Sequence, residues 1–360
     1  MFALALLVSC LIPTPQDSPG PEWGRRLQWA ADGGPPAREH AAFIADPGRG
    51  RAVMLTGSGY APYGNPLGDA WAFDFAKETW SELELVGDTI VPGGSRRAGL
   101  VDKGAFLHGG YTTGFAAVGE LWWLELEDGR VVVEGVEQVN PPPARLLHAF
   151  ACDAAGERFV VFGGGGQEGA LGDTWLGRRT DEGVRWRQLE TELDPGERFG
   201  FAFAHDVERG RLLVCGGQVP PDDGQNRMVA SRDLWALDFA ADEPAWTRLA
   251  EYDSDEFHGR RNPAFTFDQG TGDFFVWGGT GDGATALPDL YVVRTRVEGA
   301  PVERVIQPAS ISTRASGFGV VDRARDRALL GFGNTGQGPF DDLVEVRLRR
   351  PRTARAPGIK

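Results

Sequence analysis

One pattern recurs six times along this chain: an apolar run that ends in a glycine-rich pair. The copies are Met54-Leu55-Thr56-Gly57, Phe106-Leu107-His108-Gly109-Gly110, Val160-Val161-Phe162-Gly163-Gly164, Leu213-Val214-Cys215-Gly216-Gly217, Phe275-Val276-Trp277-Gly278-Gly279 and Leu329-Leu330-Gly331-Phe332-Gly333. Self-similarity at a long, nearly fixed period marks an array in which each copy buries its apolar face against the next. In five copies an arginine precedes the pair at one constant interval: Arg38, Arg145, Arg198, Arg260 and Arg314. An aspartate follows that arginine, again at a constant interval, at Asp46, Asp153, Asp206, Asp268 and Asp322. The second copy is shorter, with Arg96 and Asp102. Beyond the pair comes an acid and, two positions on, an aromatic or apolar side chain: Asp69/Trp71, Glu120/Trp122, Asp173/Trp175, Asp233/Trp235, Asp289/Tyr291 and Asp342/Val344. A further Trp closes three copies, at Trp80, Trp186 and Trp246.

Each copy reads as four short strands. The first runs from the arginine to the aspartate, the second into the glycine pair, the third carries Asp-x-Trp and the fourth the closing Trp. Short strands with evenly spaced turn signals indicate an all-β repeat. The second strands are apolar at consecutive positions, as in Phe159-Val160-Val161-Phe162, which means burial on both faces, as in a sheet sandwiched between neighbours. Composition agrees, because 51 of 360 residues are glycine, and glycine disfavours helix interiors. A single core stops growing at about 250–300 residues, so a chain of this length needs an array or several domains. A radial array of four-stranded blades satisfies all of this and leaves only short, protected edges.

The apolar run with Gly-Gly, the Asp-x-Trp segment and the closing Trp together resemble the kelch repeat, whose period is about 50 residues. The resemblance extends from about Trp23 to Leu348. It implies an all-β, six-bladed kelch-type β-propeller over 22–348, preceded by a leader and linker over 1–21 and followed by a basic tail over 349–360. Three copies depart from the pattern: the second lacks a closing Trp, the fifth has Tyr291, and the sixth has Gly-Phe-Gly and Val344. The sixth copy stops at its third strand, Leu343–Leu348, whereas Arg25-Arg26-Leu27-Gln28-Trp29 precede the first arginine without a partner. The N-terminal strand is therefore expected to close the last blade, with Trp29 standing before Arg38 as Trp186 stands before Arg198. That pairing removes an open edge.

Phe2 to Val8 is an apolar run followed by Ser9-Cys10. The run is too short to span a bilayer and fits the hydrophobic region of a secretory signal peptide. Leu7-Val8-Ser9-Cys10 resembles a bacterial lipobox with Cys10 as the lipidation site, although no Lys or Arg precedes it. The expected location is outside the cytoplasm: periplasmic, in the cell envelope as a lipoprotein, or secreted, with a membrane touched only through a lipid anchor at Cys10. Cys152 and Cys215 lie in apolar strand patterns and read as buried free thiols. The net charge is −14. Arg347 to Lys360 hold six basic residues and no acid, so the remainder carries 31 basic residues against 51 acidic ones. An acidic body argues against nucleic acid, whose binding needs a basic face.

The chain holds no Gly-x-Ser-x-Gly, His-Glu-x-x-His or phosphate-loop Gly-Lys-Thr/Ser segment. Gly163–Gly166 follow a strand, but no helix pattern follows them. Copper oxidases of the galactose oxidase type carry a similar propeller, but they need a Tyr–Cys cross-link and an additional domain for which this chain has no room. No catalytic residue, cofactor or metal site is expected. Asp222-Asp223 and Asp253-Ser254-Asp255-Glu256 lack calcium-loop spacing and read as solvated loops, and His148 reads as a buried structural histidine.

Six-fold placement puts the repeated arginine around one rim of the central channel. There it either pairs with an acid or carbonyl of the adjacent blade or binds a carboxylate ligand, for which the guanidinium fork is well shaped. Kelch propellers that bind acidic peptides use arginines in this region. The expected ligand face therefore carries Arg38, Arg96, Arg145, Arg198, Arg260 and Arg314 with Tyr60, Tyr63, Tyr111 and His258. The longest insertions, Ser58–Gly68, Gln218–Arg232 and Glu251–Gly259, fall on the same side. The expected function is a monomeric binding or scaffold protein, without enzymatic activity, for a protein or glycan ligand of acidic character. The alternative is a small carbohydrate-active enzyme resembling kelch-type sialic acid mutarotases. A deep pocket that joins an arginine to an acid of raised pKa would favour the enzyme, and a flat, open rim the binding protein.

Overall fold

The structure, a computed structural model, describes residues 20–29, 33–59, 65–102, 104–221, 227–283 and 285–348. Cys10, Tyr60, Tyr63, Asp222-Asp223 and the tail over 349–360 lie outside the described residues, as does nearly all of the leader. Among the described residues regular structure is strand, apart from four three-residue 3-10 turns.

Antiparallel four-strand meanders recur. The first comprises Ala42–Asp46, Arg51–Leu55, Ala70–Asp74 and Thr79–Gly87, and the second Arg97–Val101, Gly104–His108, Leu121–Leu126 and Arg130–Gly135. The outer strands of these two, Thr79–Gly87 and Arg130–Gly135, pair in parallel and fuse them into an eight-stranded sheet. A five-stranded sheet follows, from Ala149–Cys152 to Gly183–Leu189 with Gln138–Val139 added at its edge. Two four-stranded sheets come next, from Ala202–Asp206 to Trp246–Glu251 and from Ala264–Asp268 to Val302–Val305. The last sheet is made from both ends of the chain. Phe318–Asp322, Arg327–Gly331 and Leu343–Arg347 are completed by Glu22–Leu27, which lies antiparallel to Leu343–Arg347.

The residue at the closing position of that sheet is Trp23 rather than Trp29. Trp23 faces Val346 as Trp80 faces Phe73, Trp186 faces Gly177 and Trp246 faces Leu237. Trp29 lies beyond the strand, packs its ring on Phe73 and Trp80, and donates its indole N–H to the Glu78 carbonyl. Spacing carried the signal: Trp29 stands closer to Arg38 than Trp186 does to Arg198, too close for the intervening turn, whereas Trp23 stands slightly farther away.

The first strands of the meanders touch one another in a closed circuit. It runs from Ala42–Asp46 through Arg97–Val101, Ala149–Cys152, Ala202–Asp206, Ala264–Asp268 and Phe318–Asp322 back to Ala42–Asp46. The sheets thus radiate from a central channel as a β-propeller. The core is correspondingly divided into clusters that straddle neighbouring sheets, such as Val53, Leu55, Ala105 and Leu107, or Phe106, Phe150, Phe159 and Trp186. Trp80, Trp186 and Trp246 are buried there, against Phe332, His108 and Phe162 of the adjacent sheet, and Trp23 packs likewise on Trp277.

The glycine pair has a backbone cause. Its second residue is left-handed in all copies, with φ from 80° at Gly279 to 114° at Gly57. Its N–H donates to the next sheet: Gly110 to the Arg145 carbonyl, Gly164 to Arg198, Gly217 to Arg260, Gly279 to Arg314, Gly333 to Arg38 and Gly57 to Gly93. A Cβ at Gly333 would lie 2.4 Å from the Ala315 carbonyl oxygen, so the position needs glycine. The first position is also left-handed yet holds Thr56 and Phe332.

Candidate functional site

The six repeated arginines are all buried. In four copies the guanidinium grips the acid of its own Asp-x-Trp or equivalent segment with both terminal nitrogens. Arg38 donates to Asp69 at 2.6 and 2.7 Å, Arg145 to Asp173 at 2.7 and 2.9 Å, and Arg198 to Asp233 at 2.8 and 2.9 Å. Arg314 holds Asp342 in the same way. Nη1 also donates to the carbonyl of the first residue of the pair, at Thr56, Gly163, Gly216 and Phe332. The indole N–H groups of Trp71, Trp175 and Trp235 cap the same carboxylates. Burial pushes these carboxyls up, but the hydrogen bond and charge of the arginine outweigh it. Asp69, Asp173, Asp233 and Asp342 are held below the ordinary carboxylate value. The arginine spacing therefore marks an internal clamp between the first and third strands, and a ligand face has to be built from other side chains.

Two copies vary the clamp. Arg260 donates to the Gly278 and Asp289 carbonyls and lies 4.5 Å from the centre of the Tyr291 ring. The Asp289 carboxylate instead takes Arg304 Nε at 2.7 Å and His258 Nδ1 at 3.1 Å, with His258 half-exposed. In the second copy the register places Arg97, not Arg96, opposite His108, where Ala42 lies opposite Leu55 and Ala149 opposite Phe162. Gly93 thus takes the backbone place of the arginine, and a Cβ there would lie 1.9 Å from the Tyr111 carbonyl oxygen. Arg96, three positions later, reaches back to donate to the Gly109 carbonyl at 3.1 Å and stands 3.7 Å from Glu120.

The residue two beyond the arginine is left-handed in each regular copy: His40, Leu147, Gly200, Asn262 and Ser316, with Ser95 in that place in the second. These residues form a ring of backbone hydrogen bonds. The N–H of Ser95 donates to the carbonyl of His40, His40 to Ser316, Ser316 to Asn262, Asn262 to Gly200 and Gly200 to Leu147. Between Ser95 and Leu147 Arg97 intervenes, donating from Nε to the His148 carbonyl at 3.0 Å. The channel inside the ring holds about 210 Å³ and is walled by Phe43, Phe150, Phe203, Phe265 and Phe318. Arg97 projects into it, 5.4 Å from the Phe203 ring centre and 5.9 Å from that of Phe265. Burial lowers its pKa to about 10.

Around the ring lie paired backbone positions that repeat from copy to copy: Glu39 with Ser58, Gly94 with Tyr111, Phe199 with Gln218, Arg261 with Thr280 and Ala315 with Asn334 among them. Burial raises the Glu39 carboxyl, against hydrogen bonds from Ser316 and Asn334. Tyr111 is buried, with its hydroxyl 2.7 Å from Ser58 Oγ and its pKa pushed by burial to about 12. Arg261 donates from Nε to Thr280 Oγ1 and from Nη1 to Gln218 Oε1, each at 2.9 Å. Of the expected face, the structure thus places Tyr111 within this polar band as a packed residue and His258 beside Asp289. Arg97, Glu39, Gln218 and Arg261 were not anticipated. The available signal for Arg97 was a broken repeat, since four copies hold alanine at its place: Ala42, Ala149, Ala202 and Ala264.

His148 is buried, as expected, with Nε2 3.0 Å from His108 Nδ1. Burial lowers both histidines, His108 to about 3. Cys152 and Cys215 are buried free thiols whose pKa burial raises, that of Cys215 to about 12.

No family model matches the chain. Among curated proteins it is similar to Adagio-like protein 3 of Oryza sativa subsp. japonica, 26% identical over 209 residues, which is 56% of this chain and 31% of that one. Adagio-like protein 1 of the same plant is 30% identical over 36% of this chain and 20% of its own length. Adagio protein 3 of Arabidopsis thaliana is 27% identical over 40% and 22%. The chain therefore spans between a fifth and a third of these relatives. Among solved structures, the "Structure of YjhT" superposes with a TM-score of 0.64 at 13% identity, covering 88% of this chain and 99% of that one, a likeness of fold. The repeat, the sheet topology and these likenesses agree on a kelch-type β-propeller.

Proposed function

We propose that the chain is a six-bladed kelch-type propeller that acts as a monomeric binding or scaffold protein for a protein or glycan ligand bearing carboxylates. Six copies of the repeat, the closed circuit of first strands and six glycine N–H bonds between sheets support the blade number. The observation that carries the binding role is Arg261. It is held at the channel rim by two neutral partners, Gln218 and Thr280, and among the described residues no carboxylate pairs with it. Loops on a rigid scaffold are where binding residues concentrate, and a local positive charge on an acidic body selects anions. The test is binding of the folded chain to acidic peptides and to a sialylated glycan array. Arg261→Glu should weaken the strongest hit by about tenfold or more, and unchanged binding would reject this face. Export with acylation at Cys10 belongs to the same proposal and rests on the Leu7–Cys10 segment. Intact mass of the cellular product decides it, and a product retaining Met1 ends it.

A second function, sugar-active catalysis of the mutarotase type, is favoured by one feature. Glu39, whose carboxyl burial raises, directly precedes His40 of the backbone ring, and Arg97 bridges the gap in that ring, so an acid and an arginine share one end of the channel. Exchange between sialic acid anomers, followed by NMR with and without Glu39→Gln, separates the two functions.

A further inference from the structure

Arg97 is the feature of the channel that neither the clamp nor the rim explains. Its register counterparts in four other copies are alanines and in the sixth Phe318, so the fold does not need a long cationic side chain there. Among the described residues only one of its donors, Nε, has a protein acceptor, the His148 carbonyl. Among the described residues no carboxylate pairs with it. The rings of Phe203 and Phe265 face the guanidinium, which offsets part of its desolvation, and neither terminal nitrogen has a hydrogen-bond acceptor among the described residues. Arg97 is partly buried, an unpaired cation drawn partly out of water is costly, and the planar fork of a guanidinium matches a carboxylate best.

We propose that the central channel binds a small organic monocarboxylate, with the carboxylate on Arg97 and an apolar body among the phenylalanine rings. The site is distinct from the rim around Arg261 and does not rest on what the rim binds. The volume of about 210 Å³ suits a compact ligand. The five phenylalanine rings favour an apolar body over strongly hydrated anions such as phosphate, which would recover few of the hydrogen bonds they lose on leaving water from a lining whose polar side chains include His40, His205, Thr266 and Gln269. Access comes from the end away from the backbone ring, where Leu100 and Val207 line the channel and are exposed.

Titration calorimetry of the full chain with benzoate, acetate, chloride and phosphate tests this. Benzoate should bind the native chain with one site, more tightly than acetate, and phosphate and chloride should bind more weakly than either. Arg97→Ala, which installs the residue of the other copies, should keep the fold and abolish benzoate binding. Arg97→Lys should weaken it by about tenfold, since a point charge replaces a two-pronged donor, and it carries the test should the alanine variant not fold. Equal benzoate affinity in the variants overturns the proposal, as does no binding by the native chain up to about 10 mM. Phosphate or chloride binding as tight as that of benzoate would overturn the carboxylate class.

Discussion

The second and third copies of the repeat are neighbours built in different ways. In the third, Arg145 grips Asp173 with both terminal nitrogens, Trp175 caps the same carboxylate, and Trp186 seals the contact with the preceding sheet. In the second, glycine stands where the arginine backbone should be, Arg96 reaches its carbonyl from three positions downstream, the acid is Glu120 at 3.7 Å, and Val133 faces Leu124 at the position of the closing Trp. The second copy also has its outer strand paired in parallel with the first copy's. The clamp of the second copy is thus internal but looser, made from three positions downstream. With the register shifted, Arg97 takes the place that alanine holds in four other copies and faces the channel. The irregular copy is the one that brings a guanidinium among the phenylalanine rings of the channel.

The largest effect that tests this contrast is loss of the clamp. Arg145→Ala leaves Asp173 without its counter-ion and should cost roughly 3–5 kcal/mol by denaturant titration, the range for breaking one partner of a buried pair. Trp186→Ala should fall in the same range, as a large-to-small change of a buried aromatic. Arg96→Ala should cost less than half as much, because Glu120 is farther away and its side chain is 41% exposed. Equal losses at Arg96 and Arg145 would erase the distinction between the copies.

A backbone test comes next. Gly93→Ala drives a Cβ into the Tyr111 carbonyl and should destabilise by roughly 2–4 kcal/mol. Gly129→Ala, also in the second copy, meets nothing within 4 Å and should change stability by less than about 0.5 kcal/mol. A tolerated Gly93→Ala would mean that the three-position shift of the arginine is not enforced.

The smallest expected effect is a pH dependence at the contact between these two copies. Burial lowers His108 and His148 below their unfolded value. The unfolded chain therefore binds protons first, and stability falls as pH drops below about 6.5. The loss continues down to the folded value of His108, about 3. Between pH 7 and pH 6 the loss should be roughly 1–1.5 kcal/mol for the two histidines together. His108→Phe with His148→Phe installs the residues found at the equivalent places, Phe162 and Phe201, and should flatten that slope in urea midpoints measured across the range. A slope unchanged in the double variant would place the proton uptake elsewhere.

The propeller was readable because its signals are local and repeated. The left-handed Gly-Gly step, the two-face apolar second strand and the buried closing Trp each follow from backbone sterics or burial at one site. The role of the arginines was harder to read. Arg38 and Asp69 stand before the first and third strands of their copy, with a whole hairpin and its insertion between them, and whether a guanidinium turns toward its own acid or toward a ligand depends on how the third strand folds back. Arg97 was obscured by adjacency. Two arginines in a row look like one noisy repeat position until strand register shows that Arg96 does the work of the clamp and Arg97 occupies an alanine's place. Trp29 is misleading in the same way: it precedes the first arginine as a closing Trp does, but its spacing is too short and the pairing with Val346 falls to Trp23.

The pairing of Glu22–Leu27 with Leu343–Arg347 has a consequence for how the protein is made. Glu22–Leu27 has no partner during synthesis until Leu343–Arg347 has been made. At about 5–20 residues per second it waits tens of seconds, and through that interval both faces of the gap present unpaired edges. Arg26 then joins Arg314 on Asp342, and Arg25 reaches Glu78 in the first sheet, so Glu22–Leu27 locks the sheets on both sides of the gap. Ring closure is thus the step with the greatest loop-entropy cost and the one most exposed to competition from a second chain, whose own Glu22–Leu27 strand fits the same edge.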